Sequence, residues 1–132
     1  MIVGLGTDIV EIQRIQDAVE RWGDHFLHRV FTAEERSYCM AGKKNPYPHL
    51  AARFAAKESA VKALTPLRGP GEGAPNLTDI EIFNDADGKP HMRLHGPAQA
   101  VLKNHTIHVS LSHEKRYAVA TVVLARTDTQ AV

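Results

Sequence analysis

His105-Thr106-Ile107-His108-Val109-Ser110-Leu111-Ser112-His113-Glu114-Lys115-Arg116-Tyr117-Ala118-Val119-Ala120-Thr121-Val122-Val123-Leu124 decides the fold class. Its first half alternates with a period of two: Ile107, Val109 and Leu111 fall on one face, His108, Ser110 and Ser112 on the other. The polar run His113 to Arg116 joins this strand to a second, more apolar one. Such a pair needs a sheet with one covered face. Just upstream, Asp79-Ile80-Glu81-Ile82-Phe83 also alternates, Asp87-Gly88 supplies a turn, and His91 to His95 returns as the other arm of a hairpin. Gly96-Pro97 then opens a short helix.

The first half of the chain has helical periodicity instead. Ile12, Ile15, Val19 and Trp22 share a face, which predicts a helix over Ile12 to Trp22 that Gly23 terminates. Thr32-Ala33-Glu34-Glu35 is a capping box for a short helix ending near Gly42. Pro46 and Pro48 punctuate the loop before a long helix over 49–64, which Pro66 ends. Met1-Ile2-Val3, broken by Gly4 and Gly6, predicts a first strand at about residues 1 to 7. Residues 65–76, TPLRGPGEGAPN, predict a flexible surface loop. The fold class is therefore α+β, an antiparallel sheet packed with a long helix and shorter helices. One domain spans residues 1–125, and 126–132 form a polar, frayed tail.

The chain has 132 residues, 43% hydrophobic and 23% charged, enough for one domain that buries roughly two thirds of its unfolded surface. A net charge of +1 argues against nucleic acid as the main partner. The apolar start is interrupted by glycine and lacks a charged leader, so neither a signal peptide nor a membrane span is expected, and a cytoplasmic protein is. Cys39 is the single cysteine, which excludes an internal disulfide and predicts a buried thiol.

Two carboxylates stand where charge is costly. Asp8 falls where the first strand gives way to a helix, and has two readings: a helix cap backed by Glu11, or a ligand. Glu58 lies within the stripe Leu50, Ala51, Phe54, Val61 and Leu64, where a carboxylate must be paired or neutralised. Its alternative is an i to i+4 ion pair with Lys62. Mg2+ takes one or two carboxylates and completes its shell with water and phosphate oxygens, which suits Asp8 and Glu58. Arg53, Lys57 and Lys62 supply positive charge for phosphate, and Ser110, Ser112 and His113 supply hydrogen bonds. His105, His108 and His113 are not spaced for zinc on one strand face.

The stretches GTDIVEIQRI (6–15), FTAEE (31–35), ARFAAKESAVKA (52–63), GKP (88–90) and HVSLSHEKRYAVATV (108–122), in this order, resemble the bacterial holo-acyl-carrier-protein synthases, the short type of 4'-phosphopantetheinyl transferase. The resemblance implies that fold and a Mg2+-dependent transfer of the phosphopantetheine arm of coenzyme A to a serine of apo acyl carrier protein, releasing adenosine 3',5'-bisphosphate. It implies Asp8 and Glu58 as Mg2+ ligands, Lys62 at the pyrophosphate, Lys57 as a further phosphate contact, and Ser112 and His113 on the coenzyme-contacting strand. Either Glu58 or a water would take the serine proton. In longer members of that family two similar halves form one site and a chain of this length matches one half, so the resemblance implies a homotrimer with sites between protomers. Arg14, Arg21 and Arg29 are docking charges for an acidic carrier protein, or simply a solvated helix face. Where many relatives turn with Gly-Thr-Gly after the long helix, this chain has Thr65 to Gly73. A noncatalytic module binding coenzyme A or carrier protein, and a Mg2+-dependent nucleotide pyrophosphohydrolase, are the alternatives.

Overall fold

The structure, a computed structural model, describes residues 1–127. In chain order its elements are β1 (Ile2–Glu11), α1 (Ile12–Trp22), α2 (Asp24–Val30), α3 (Ala33–Met40), α4 (Tyr47–Leu64), β2 (Ile80–Asn84), β3 (Pro90–Leu94), β4 (His105–His113) and β5 (Tyr117–Arg126). Short 3-10 turns occupy Thr65–Leu67 and Leu77–Asp79, and a longer one Gly96–Lys103. All strand pairs are antiparallel, in two sheets ordered β1-β5-β4 and β2-β3. The expected α+β architecture is therefore present, with the hairpins as read from the alternation.

β5 takes the centre of the larger sheet because one of its faces, Ala118, Ala120, Val122 and Leu124, is almost wholly buried. Two of these side chains are alanine, which lets α4 lie close. α4 answers with Ala51, Ala52, Ala55, Ala56, Ala60 and Ala63, all buried. On β1 the approach is closer still: a Cβ on Gly4 would sit 2.0 Å from the Ala63 carbonyl oxygen, and one on Gly6 would sit 1.9 Å from that of Ser59. Only glycine permits helix backbone to touch strand backbone at this distance.

β1 runs to Glu11, four residues beyond the expected end at Thr7, because Asp8, Ile9, Val10 and Glu11 keep pairing with Ala120, Val119, Ala118 and Tyr117. Asp8 is consequently a mid-strand residue and caps nothing. Glu11 holds the cap position of α1 without a side-chain bond. Trp22, read as part of the apolar stripe of α1, is 55% exposed, whereas Ile12 and Ile15 are buried. Gly23, at φ 56°, ends α1 and turns the chain directly into α2, a helix without a sequence signal of its own beyond the now buried Leu27 and Val30. Pro48 belongs to the first turn of α4, where a missing N–H costs nothing, and not to the preceding loop. Of the expected tail, Arg126 and Thr127 are tied in, their amides donating to the carbonyls of Met1 and Asn104 at 2.8 Å. The remainder, 128–132, lies outside the described residues.

The capping box forms as read: the Thr32 hydroxyl accepts from the Glu35 amide, and the Glu35 carboxylate accepts from that of Thr32. Alternation alone would expose Glu81, but it is buried. Its carboxylate accepts from Thr32 Oγ1 at 2.5 Å, His95 Nε2 at 3.0 Å and Arg93 at 3.2 Å. These bonds hold its carboxyl below the usual range despite the burial that opposes them.

Substituting Gly6→Ala forces β1 and α4 apart, and urea denaturation is expected to register a loss of about 3 kcal/mol. Gly73→Ala, with open space around the added methyl, should stay within about 0.5 kcal/mol of the parent.

Candidate active site

The close seating of α4 on β1 brings Asp8, Glu58 and Lys62 together. Lys62 Nζ donates to Asp8 Oδ1 at 3.3 Å and to the Thr7 carbonyl at 2.9 Å. The lysine side chain is 55% exposed and the aspartate 23%, so the group opens to solvent. Glu58 is half-buried on the outer edge of α4, between Phe54 and Val61, and not deep within the stripe. Its carboxyl is pushed above the usual range, first by burial and then by the negative charge of Asp8, with Lys62 pulling the other way. The i to i+4 pairing of Glu58 with Lys62 is not among the ion pairs of the described residues, since Lys62 turns to Asp8. Two carboxylates thus stand beside one exposed ammonium, which is bonded to Asp8.

The other expected cations go elsewhere. Lys57 is fully buried, its ammonium donating to Glu35 at 2.6 Å, to the Leu77 carbonyl at 2.8 Å and to the Ile80 carbonyl. That uses all three of its hydrogens. Arg53 is 3% exposed, donates to Asn84 Oδ1 at 2.5 Å, and lies over the Tyr38 ring at 4.3 Å. Five residues along a helix turn a side chain by about 140°, so Arg53 and Glu58 leave α4 in different directions.

Arg53 leads instead to a second group. Lys43 Nζ sits over the same Tyr38 ring at 4.2 Å, and His49 meets both Tyr38 and His113 edge to face, at 6.1 and 6.0 Å. Burial lowers the His49 pKa, and Lys43, Arg53 and His113 lower it further. Arg53 Nε is buried without a partner. This crowd of positive and aromatic groups is suited to an anion. Sequence reasoning supplied Arg53 and His113 but missed Tyr38, Lys43, His49 and Asn84. The one available signal was the basic pair Lys43-Lys44 beside His49, in a stretch read only as a loop.

Within one chain the two groups stay apart. Asp8 pairs in register with Ala120, and Ala120 with Leu111, so the Ser112 strand lies two strands from Asp8, about 10 Å across the sheet. Ser112 is exposed on the face away from α4. On α1, Arg14 and Arg21 are exposed, and Arg21 stacks over Trp22 at 4.9 Å. Trp22, His25, Phe26, Arg29 and Val30 line a cavity of about 350 Å3 beside them. No cluster of three or more His, Cys, Asp or Glu that could hold a metal occurs among the described residues. An ion at Asp8 and Glu58 would therefore be completed by oxygens from water or substrate.

The chain belongs to the 4'-phosphopantetheinyl transferase superfamily, whose family model matches residues 4–122. Within it the chain falls with the holo-[acyl-carrier-protein] synthases. Relatives so named include one from Halothermothrix orenii, 46% identical over 126 residues covering 93% of this chain and 97% of that protein. Another, from Thermodesulfovibrio yellowstonii, is 45% identical over 124 residues covering 94% and 99%. Among solved structures, the holo-(acyl-carrier-protein) synthase of Bacillus anthracis in complex with CoA (3',5'-ADP) aligns with a TM-score of 0.76 at 38% identity, covering 96% of this chain and 98% of that one. That of Neisseria meningitidis aligns at 0.78 and 36%, covering 96% and 100%.

A raised Glu58 pKa has a signed consequence for stability. The folded state holds the proton more tightly than the unfolded chain, so this contribution is fully present below the ordinary value near 4.5 and is lost as pH rises through the folded value. In chelator-treated protein, Glu58→Gln is expected to melt higher than the parent at pH 7 and level with it near pH 4, by scanning calorimetry across that range. Equal melting at both pH values would show that the two carboxylates do not strain one another.

Proposed function

We propose that the protein transfers the 4'-phosphopantetheine arm of coenzyme A to a serine hydroxyl of an apo acyl carrier protein, with Mg2+ as cofactor, releasing adenosine 3',5'-bisphosphate. The convergence of Asp8, Glu58 and Lys62 carries it. Two hard oxygen ligands that repel one another, with one exposed ammonium paired to Asp8 alone, fit Mg2+, which prefers few carboxylates and takes further oxygens from water and phosphate. An ion held by Asp8 and Glu58 would neutralise the charge that builds on the departing bisphosphate.

Lys62, held on Asp8 and the Thr7 carbonyl, has spare hydrogen-bonding capacity for a pyrophosphate oxygen. The carrier serine Oγ forms a bond to the phosphorus that bears the pantetheine. The bond from that phosphorus to the bridging oxygen breaks, and its electron pair leaves with the bisphosphate. The serine proton passes to Glu58 or to a water. Phosphoryl transfer of this kind rests on alignment and charge, and Asp8, Glu58 and Lys62 supply both from rigid elements. The cluster of Lys43, His49, Arg53 and His113 suits another phosphate of the coenzyme.

Support for a homotrimer with sites between protomers comes from the sheet. On the β1-β5-β4 face turned away from α4, Leu5 and Ile9 are each 64% exposed, with Val119 and Val123 beside them in register. An apolar face of this kind is suited to copies of itself. Asp8 and Glu58 of one protomer would then face the Ser112 strand of a neighbour. Carrier-protein docking at Arg14 and Arg21 is supported by their exposure and, for Arg21, by its stacking on Trp22, which lines the cavity. A cytoplasmic setting agrees with the lone buried Cys39, and no helix among the described residues is long and apolar enough to cross a membrane.

Incubating the protein with Mg2+, coenzyme A and apo carrier protein should add one phosphopantetheine mass to the carrier by mass spectrometry. Bisphosphate release without carrier modification would mean hydrolysis, and binding without either product a noncatalytic module. Glu58→Gln is expected to lower turnover about a hundredfold while keeping the fold. Reversing charge at Arg14 and Arg21 should slow transfer at low salt and matter less at high salt, by stopped or continuous assay at two ionic strengths.

A further inference from the structure

Lys57 and Ser59 flank Glu58 in sequence, and both are buried with their polar atoms committed to other elements. Lys57 Nζ reaches Glu35, the Leu77 carbonyl and the Ile80 carbonyl. Glu35 in turn accepts from the Thr32 amide at 2.9 Å and the Ile82 amide at 2.8 Å, so one carboxylate ties together α3, α4 and β2. On another side of the helix, Ser59 Oγ lies 2.7 Å from the Ala55 carbonyl and 3.0 Å from the Ala120 carbonyl of β5. α4 is thus pinned on two sides at the residues immediately before and after Glu58.

We infer that the buried Glu35–Lys57 pair is a positioning element of the transferase site: it fixes the rotation of α4 so that the Glu58 carboxylate meets Asp8. This rests on the function proposed above for what Glu58 holds. Rotation matters because a side-chain group about 5–6 Å from a helix axis moves roughly 2 Å when the helix turns by 20°, more than a functional constellation tolerates. Around Glu58 the apolar face of α4 is alanine, Ala55, Ala56, Ala60 and Ala63, whose methyl groups offer little to interlock with the sheet and resist such a turn poorly. Directional bonds resist it well. A buried ion pair is seldom a better stabiliser than well-packed apolar side chains of the same volume, so orientation, more than net stability, is what this pair contributes. The same bonds leave Lys57 no hydrogen for a phosphate, and its influence on the site passes through Glu58.

The test compares the parent with Glu35→Met/Lys57→Met, which replaces the pair by apolar side chains, and with Glu35→Gln. Melting temperature, Mn2+ affinity by electron paramagnetic resonance, and kcat and KM for apo carrier protein are measured on each. A residue that only stabilised the fold would shift melting alone. The positioning role predicts that the folded double variant binds Mn2+ roughly tenfold more weakly and loses about tenfold or more in kcat, with the carrier-protein KM held within about twofold. A folded double variant whose Mn2+ affinity and kcat both stay within about twofold of the parent overturns it. If that variant melts below the assay temperature, Glu35→Gln is judged on the same thresholds. Parent protein that neither binds Mn2+ nor modifies carrier protein would overturn the transferase function itself, an outcome distinct from a silent variant.

Discussion

Contact between the α4 backbone and β1 is the constraint on which the molecule depends. A strand of ordinary residues would hold the helix off by the thickness of a side chain, but Gly4 and Gly6 remove that layer opposite Ala63 and Ser59. The alanines of α4 and β5 do the same along the rest of the seam. At this separation a short aspartate on the strand meets the lysine of the helix at 3.3 Å and lies close enough to the glutamate to raise its pKa. The acidic pair is therefore a consequence of how closely two backbones approach.

Burial sorts the cations of α4 into different tasks. Lys57 and Arg53 follow the helix inward, where each costs desolvation and is compensated by fixed partners, Glu35 and two carbonyls for the first, Asn84 and the Tyr38 ring for the second. For Lys57 that desolvation is large enough to push the ammonium below its usual pKa even beside Glu35. Lys62, on the solvent edge, stays free enough to meet a ligand. Residues of one type, a few positions apart, thus differ in role through the direction in which the helix turns them.

The acidic group and the cationic group leave the fold on different sides, and an apolar sheet face lies open beside them. Each half is built on rigid elements: Asp8 in a paired strand, Glu58 and Lys62 on a clamped helix, His113 at the end of β4.

Sequence by itself determined the α+β class, both hairpins, the capping box at Thr32, the helix from Ile12 to Trp22 and the core of α4, because period-two and period-3.6 patterns and local caps are properties of neighbouring residues. The motifs also singled out Asp8, Glu58 and Lys62 from the chain's 15 acidic and 16 basic residues. Tertiary structure alone decided that β1 continues through Asp8, that Lys57 and Arg53 face inward, that Glu81 is buried, and that Tyr38, Lys43 and His49 gather at His113. Each of these depends on partners tens of residues away, such as Ala120 for Asp8 and Glu35 for Lys57. A local pattern specifies which face of an element is apolar, but the fate of a polar group is set by whether a distant donor or acceptor arrives to meet it.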